Sequence, residues 1–170
     1  LLQAADIQGP YVLVGHSIGG FYVRAFTSRY PDQVAGLVLV DSSHPEQYDR
    51  YPELNDQTFQ RIAATFPALA RAGLFRLFFD TGGEIDFQDL PPRQHAELAA
   101  FWSSTTYHQS QQAEARAAEA IYAQAHDLPD LGDLPLAVVT AEISAESWLS
   151  LQAELAGLSS NSFHRIIPEA

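Results

Sequence analysis

The stretch YVLVGHSIGGFYVRAF, residues 11–26, sets a serine among glycines where one structural pattern gives way to another. YVLVGH is a continuous apolar run, as expected of a strand buried on both faces of a parallel sheet. Residues Ile18 to Arg29 read as a helix stopped by Pro31, with Arg24 and Arg29 toward its negative end. A strand that turns directly into a helix forces the residue at the bend into a strained backbone conformation. The flanking residues must then be small, and here they are Gly15 and Gly19. Such a bend pushes the Ser17 hydroxyl out at the carboxyl edge of the sheet. It also sets the Ile18 N–H at a helix N-terminus, ready to stabilise an oxyanion. A dinucleotide-binding fingerprint is excluded, because it needs glycine where Ser17 stands.

The rest of the chain fits an α/β architecture. VAGLVLV, 34–40, is a second strand of the same type, giving strand–helix–strand with a right-handed parallel crossover. Residues 42–134 then read as helices and proline-broken loops. QTFQRIAATF and ALARAGLFRLFF are two short helical candidates interrupted at Pro67, and DTGGEIDFQDLPP is a loop. RQHAELAAFW and SQQAEARAAEAIYAQA are further helices. LPLAVVTAE resumes the sheet, followed by a helix near 146–157 and a final strand SFHRII, 162–167. The expected organisation is a core of residues 1–47 and 130–170, interrupted by a helical cap at 48–129.

Composition narrows the function classes. The chain has no lysine and no cysteine, and its formal net charge is −12. A Lys-dependent phosphate loop, a thiolate metal site and a nucleic-acid partner are therefore not expected. No apolar run approaches the roughly 20 residues of a membrane span. No residue cluster has metal-ligand spacing, so neither metal nor cofactor is expected.

The residues GPYVLVGHSIGGFYVRAFTSRYPDQVAGLVLVDSSHPEQ, 9–47, closely resemble the nucleophile strand, helix and next strand of the α/β-hydrolase fold superfamily. LGDLPLAVVTAE resembles the strand after the cap in the same proteins. The resemblance implies a partial doubly wound parallel sheet with an inserted helical cap. It implies a serine hydrolase with Ser17 as nucleophile, Ile18 supplying an oxyanion N–H and His16 beside them. The dehalogenase and epoxide-hydrolase branches carry aspartate in place of this serine. A nucleophilic serine needs a histidine base oriented by a carboxylate, in the chain order Ser, acid, His. The acid is Asp41, at the end of VAGLVLV, or Glu142 or Glu146 after the next strand.

None of the six histidines stands where the family has its base, on the loop after the final strand. His16 is expected as a packing residue and His44 in the mouth of the site. His95, His108 and His126 fall in the cap, and His164 starts the final strand. The chain also has no methionine, and few residues precede the nucleophile strand. It reads as an internal fragment of a larger hydrolase, with the base expected beyond Ala170. Leu74, Phe75, Phe78, Phe79, Phe101 and Trp102 are available to line an apolar pocket for a small hydrophobic ester or amide. The complete protein is then a carboxylesterase-like enzyme or, alternatively, a non-catalytic binding module on the same fold.

Overall fold

The apolar runs form a parallel sheet. In the computed structural model, which describes residues 2–52, 57–81, 90–142 and 146–168, four strands lie in the order β1–β2–β3–β4. They are β1 (Tyr11–His16), β2 (Val34–Val40), β3 (Leu136–Ala141) and β4 (Ser162–Ile167). All three pairings are parallel, with Leu13 opposite Leu37, Leu37 opposite Leu136 and Val138 opposite His164. Helix α1 (Gly19–Arg29) links β1 to β2, and the last helix, Glu146–Ala156, links β3 to β4.

Two compact units emerge. One comprises Leu1–Asn55 with Ala120–Ala170, the other Asp56–Glu119. In the first unit the core is Val34, Leu37, Leu39, Leu136, Val138 and Leu155. Val23 and Phe26 of α1 and Ala156 of the last helix pack against these residues. Because strand partners share a face, both helices cover one face of the sheet. The opposite face is open within this unit: Val12 and Val14 are 65% and 63% exposed, and Phe163 is 59% exposed. Within this unit β1 is therefore covered on one face only. Its Leu13 and Gly15 point inward, while Val12, Val14 and His16 alternate outward.

The helical segment also differs in detail. It contains α2 (Gln47–Arg50), α3 (Gln57–Ala63), α4 (Phe66–Arg71), α5 (Leu74–Asp80), α6 (Pro92–Trp102) and α7 (Thr105–His126). This makes the last helix α8. Pro67 does not interrupt a helix but opens α4, at a first-turn position where its missing N–H costs nothing. The break between α3 and α4 falls just before it, at residues 64–65, and a second comes at Gly73, whose φ of +76° suits glycine and separates α4 from α5. Most of DTGGEIDFQDLPP, expected as a loop, lies outside the described residues. Arg24 sits in the middle of α1 rather than toward its negative end, and is buried, only 4% exposed. Among the described residues no single helix is long and apolar enough to cross a membrane.

Candidate active site

Ser17 follows the last residue of β1 and has φ +52°, in the left-handed region that a side chain rarely adopts. The surrounding backbone fixes this conformation from several sides. The Ser17 N–H donates to the carbonyl of Val40 at 3.1 Å, so the ladder with β2 extends one step past the strand. The Ser17 carbonyl accepts from Gly20 N–H at 3.1 Å, Ser43 N–H at 3.0 Å and the Ser42 hydroxyl at 3.3 Å. Three donors on one carbonyl over-determine the bend, the condition under which local strain persists.

The glycine requirement is real, but it falls on a different pair. A Cβ on Gly15 would lie 2.7 Å from the backbone of Gly19 and Gly20, and one on Gly20 would collide with the Ser42 side chain. At Gly19 nothing comes within 4 Å. The strand therefore runs close to the backbone of both Gly19 and Gly20, and the helical position that must itself lack a side chain is Gly20, against Ser42, not Gly19. The first helical residues have wound far enough to turn Gly19 outward.

Ile18 is the N-cap of α1 and carries helical φ and ψ. The first turn of α1 contains no acidic side chain, so the positive end of its dipole is uncompensated by a carboxylate. His16 lies beside it with an exposed side chain. It points to the sheet face that α1 and α8 leave uncovered.

Asp41 occupies the corresponding position after β2 and has φ +39°. Its N–H donates to Val139 O at 2.9 Å. Its carboxylate accepts the Ala141 N–H at 3.3 Å on Oδ1 and 3.2 Å on Oδ2, and the Trp148 indole N–H at 3.1 Å on Oδ1. Ser17 and Asp41 thus sit side by side at the carboxyl ends of adjacent strands. Glu142 and Glu146, the alternative acids, are both exposed. The Glu142 N–H donates to Ile167 O at 3.0 Å, which places it at the end of β3.

Among the described residues no histidine is hydrogen-bonded to Ser17. His44 is mostly buried and engaged on both nitrogens. Nδ1 accepts the Glu46 N–H at 3.2 Å, and Nε2 lies 3.6 Å from Glu154. Burial pulls its pKa below the ordinary histidine value, against the opposing pull of Glu154. Glu154 is itself held by Arg50 at 2.6 Å, which lowers its pKa. His164 pairs with Thr140 Oγ1 at 2.9 Å, and His126 lies 3.9 Å from Glu46. In the helical unit His108 pairs with Trp102 O at 2.8 Å.

Residues that sequence patterns did not single out complete the surroundings. Gln152 donates to Ser42 O at 2.7 Å. Tyr122 packs edge-on against Phe21, with ring centroids 5.0 Å apart. Burial raises the Tyr122 pKa, while hydrogen bonding with Ser43 opposes the shift. In the helical unit a cavity of about 470 Å³ is lined by Phe59, Phe66, Trp102 and Tyr107 among others. Of the six apolar residues expected to line a pocket, Trp102 does so, whereas Leu74, Phe78 and Phe101 are exposed. Phe75 instead stacks on His108 at 4.5 Å. Among the described residues no group of three or more His, Cys, Asp or Glu could hold a metal.

Comparison with known proteins agrees with this geometry. The alpha/beta hydrolase fold family model matches residues 1–84. Lipase LipV of Mycobacterium tuberculosis is 41% identical over 64 residues, 38% of this chain and 24% of LipV. A thermophilic esterase from Thermogutta terrifontis superposes with a TM-score of 0.54 at 22% identity, covering 99% of this chain and 60% of the esterase. Est816, described as an N-acyl homoserine lactone degrading enzyme, gives a TM-score of 0.55 at 17% identity, over 99% of this chain and 62% of Est816. The chain therefore spans about three-fifths of the solved structures it resembles. With its parallel sheet, its strained serine between strand and helix, and these matches, the chain has the α/β-hydrolase fold.

Proposed function

We propose that the protein is a serine hydrolase that cleaves carboxylic esters through an acyl-serine intermediate. The observation that carries this reading is Ser17 at φ +52° between β1 and the N-terminus of α1. Strain of this kind costs on the order of 1–3 kcal/mol and persists where the surroundings enforce it for a purpose. The lipase and esterase named among the similar proteins favour an ester as substrate.

In the proposed reaction Ser17 Oγ attacks the ester carbonyl while a histidine takes its proton. The carbonyl π electrons move onto oxygen, where the Ile18 N–H and the positive end of α1 stabilise the charge. Collapse of this intermediate expels the alcohol, which receives the proton, and leaves acyl-Ser17. Water, deprotonated by the same histidine, then releases the acid. Asp41 accepts the other imidazole N–H and fixes the tautomer. The side-by-side placement of Ser17 and Asp41 supports this role, as does the exposure of Glu142 and Glu146. Among the described residues His44, His108 and His164 are held by other partners, and the proposed base is a histidine brought to Ser17 in the full-length protein. On this reading residues 48–129 form a helical cap domain, residues 1–47 and 130–170 form the core, and the substrate is a small hydrophobic ester or amide.

The occupied histidines also favour a second reading, a non-catalytic binding module on this fold. One experiment separates the two. In the full-length protein a fluorophosphonate should label Ser17, and Ser17→Ala should abolish both labelling and p-nitrophenyl ester turnover. A full-length protein that is neither labelled nor active would support the binding module.

A further inference from the structure

We infer that Trp148 is the positioning residue for the Asp41 carboxylate, and that Oδ2 is the oxygen left to receive the imidazole. The inference rests on the reading of Asp41 as the acid. A strand-terminal aspartate has two soft side-chain torsions, so a triad needs donors that fix the plane of its carboxylate. Here Ala141 N–H straddles both oxygens, at 3.3 and 3.2 Å, and Trp148 Nε1–H takes Oδ1 at 3.1 Å. Oδ1 therefore carries two donors and Oδ2 one. A carboxylate has about four lone-pair sites, so the greater free acceptor capacity remains on Oδ2.

Trp148 is well placed for this task. The indole is rigid, and its N–H direction is set once the ring is packed. It stands in the first turn of α8, whose Leu151, Gln152 and Leu155 are at most 1% exposed. The same helix face reaches the loop after β2 a second time, one turn later, where Gln152 Nε2–H donates to Ser42 O at 2.7 Å. Residues four apart lie on one side of a helix. Thus α8 touches Asp41 and its neighbour Ser42 from a single anchored surface. The last residue of β3 and the first turn of α8, on either side of the positions where the sequence offered Glu142 and Glu146 as acids, supply the donors that orient Asp41.

The test uses the full-length protein with Trp148 replaced in two ways. Trp148→Phe removes the N–H and part of the ring. Replacement by the sulfur isostere 3-benzothienylalanine keeps the ring shape and removes only the N–H, so it retains the fold if Trp148→Phe does not. The rate of Ser17 modification by a saturating fluorophosphonate is expected to fall by about 10- to 100-fold, the effect of losing a hydrogen bond to a charged group. The isostere's melting temperature should stay within a few degrees of the parent. In ¹⁵N-edited spectra the Trp148 indole signal, assigned by Trp102→Phe, should move in Asp41→Asn while the Trp102 signal stays. An isostere that reacts like the parent, with Asp41→Asn crippled, overturns the role of Trp148 and leaves Asp41 as the acid. An Asp41→Asn protein that reacts like the parent removes Asp41 as the acid, and the inference falls with it. A Trp148 indole signal unmoved in Asp41→Asn shows that the bond is absent in solution and also overturns it.

Discussion

The Ser43 main-chain N–H donates to the Ser17 carbonyl oxygen at 3.0 Å, tying the loop after β2 to the strained residue after β1. With the Ser42 hydroxyl and Gly20 N–H on the same oxygen, the bend is fixed by groups on two separate segments. The proposed nucleophile is thus aimed by its neighbour strand as much as by its own sequence.

Strain at Ser17 should be measurable. Ser17→Gly relieves a left-handed conformation that costs a non-glycine residue about 1–2 kcal/mol, partly offset by the greater chain entropy of unfolded glycine. Relative to Ser17→Ala, Ser17→Gly is expected to be more stable by about 1 kcal/mol, or about 2–4 °C in melting temperature. Calorimetry of the two variants checks this. Equal melting temperatures would show the bend to be unstrained.

The glycine pair makes an asymmetric prediction. Gly15→Ala places a methyl 2.7 Å from the Gly19 and Gly20 backbone, which cannot swing aside as a side chain can. It should cost about 3 kcal/mol or more, at the upper end of overpacking effects. Gly19→Ala enters open space on a helix and should be neutral or slightly stabilising. Urea unfolding of both variants reads the difference directly, and a tolerated Gly15→Ala would contradict the backbone crossing.

Exchange at the acid should discriminate among three carboxylates. Asp41→Asn in the full-length protein is expected to lower turnover by about 10⁴, as loss of the correct histidine tautomer does in a triad. Glu142→Gln and Glu146→Gln, both at exposed positions, should stay within a few-fold of the parent. A crippled Glu142→Gln or Glu146→Gln beside a healthy Asp41→Asn would move the acid to the segment after β3.

His44 gives the fold a pH dependence with a defined sign. Burial depresses its folded pKa below its unfolded value, so the unfolded chain takes up the proton first as pH falls. Stability is then present above the ordinary histidine pKa and is lost as pH drops through it. Protonation of Nδ1 would also forfeit the hydrogen bond from Glu46 N–H. Unfolding free energy should therefore fall between pH 7.5 and 5.5, and His44→Asn should flatten that slope. A parent protein equally stable at both pH values would refute the assignment.

Residues 1–170 expressed alone should turn over short-chain p-nitrophenyl esters negligibly. No described histidine is hydrogen-bonded to Ser17, and a serine hydroxyl without its base is hardly nucleophilic. Ser17-dependent turnover at an ordinary esterase rate would instead make one of the six histidines the base.

What the sequence determined by itself was local. The largely apolar runs 11–16, 34–40 and 136–141 became strands because their hydrophobic patterning extends over the element, and the mixed segment 162–167 pairs alongside β3. Ser17 was legible because strand, glycine, serine and helix are contiguous, and their strain follows from the bend alone. Other features depended on residues far apart in the chain. Trp148 reaches Asp41 across 107 positions and Gln152 reaches Ser42 across 110, and no periodicity links such partners. That the second glycine requirement falls on Gly20 rather than Gly19 depends on how α1 winds against the Ser42 side chain. The outward face of Val12 and Val14 was decided by which sheet face α1 and α8 cover, a matter of packing that an apolar run cannot encode.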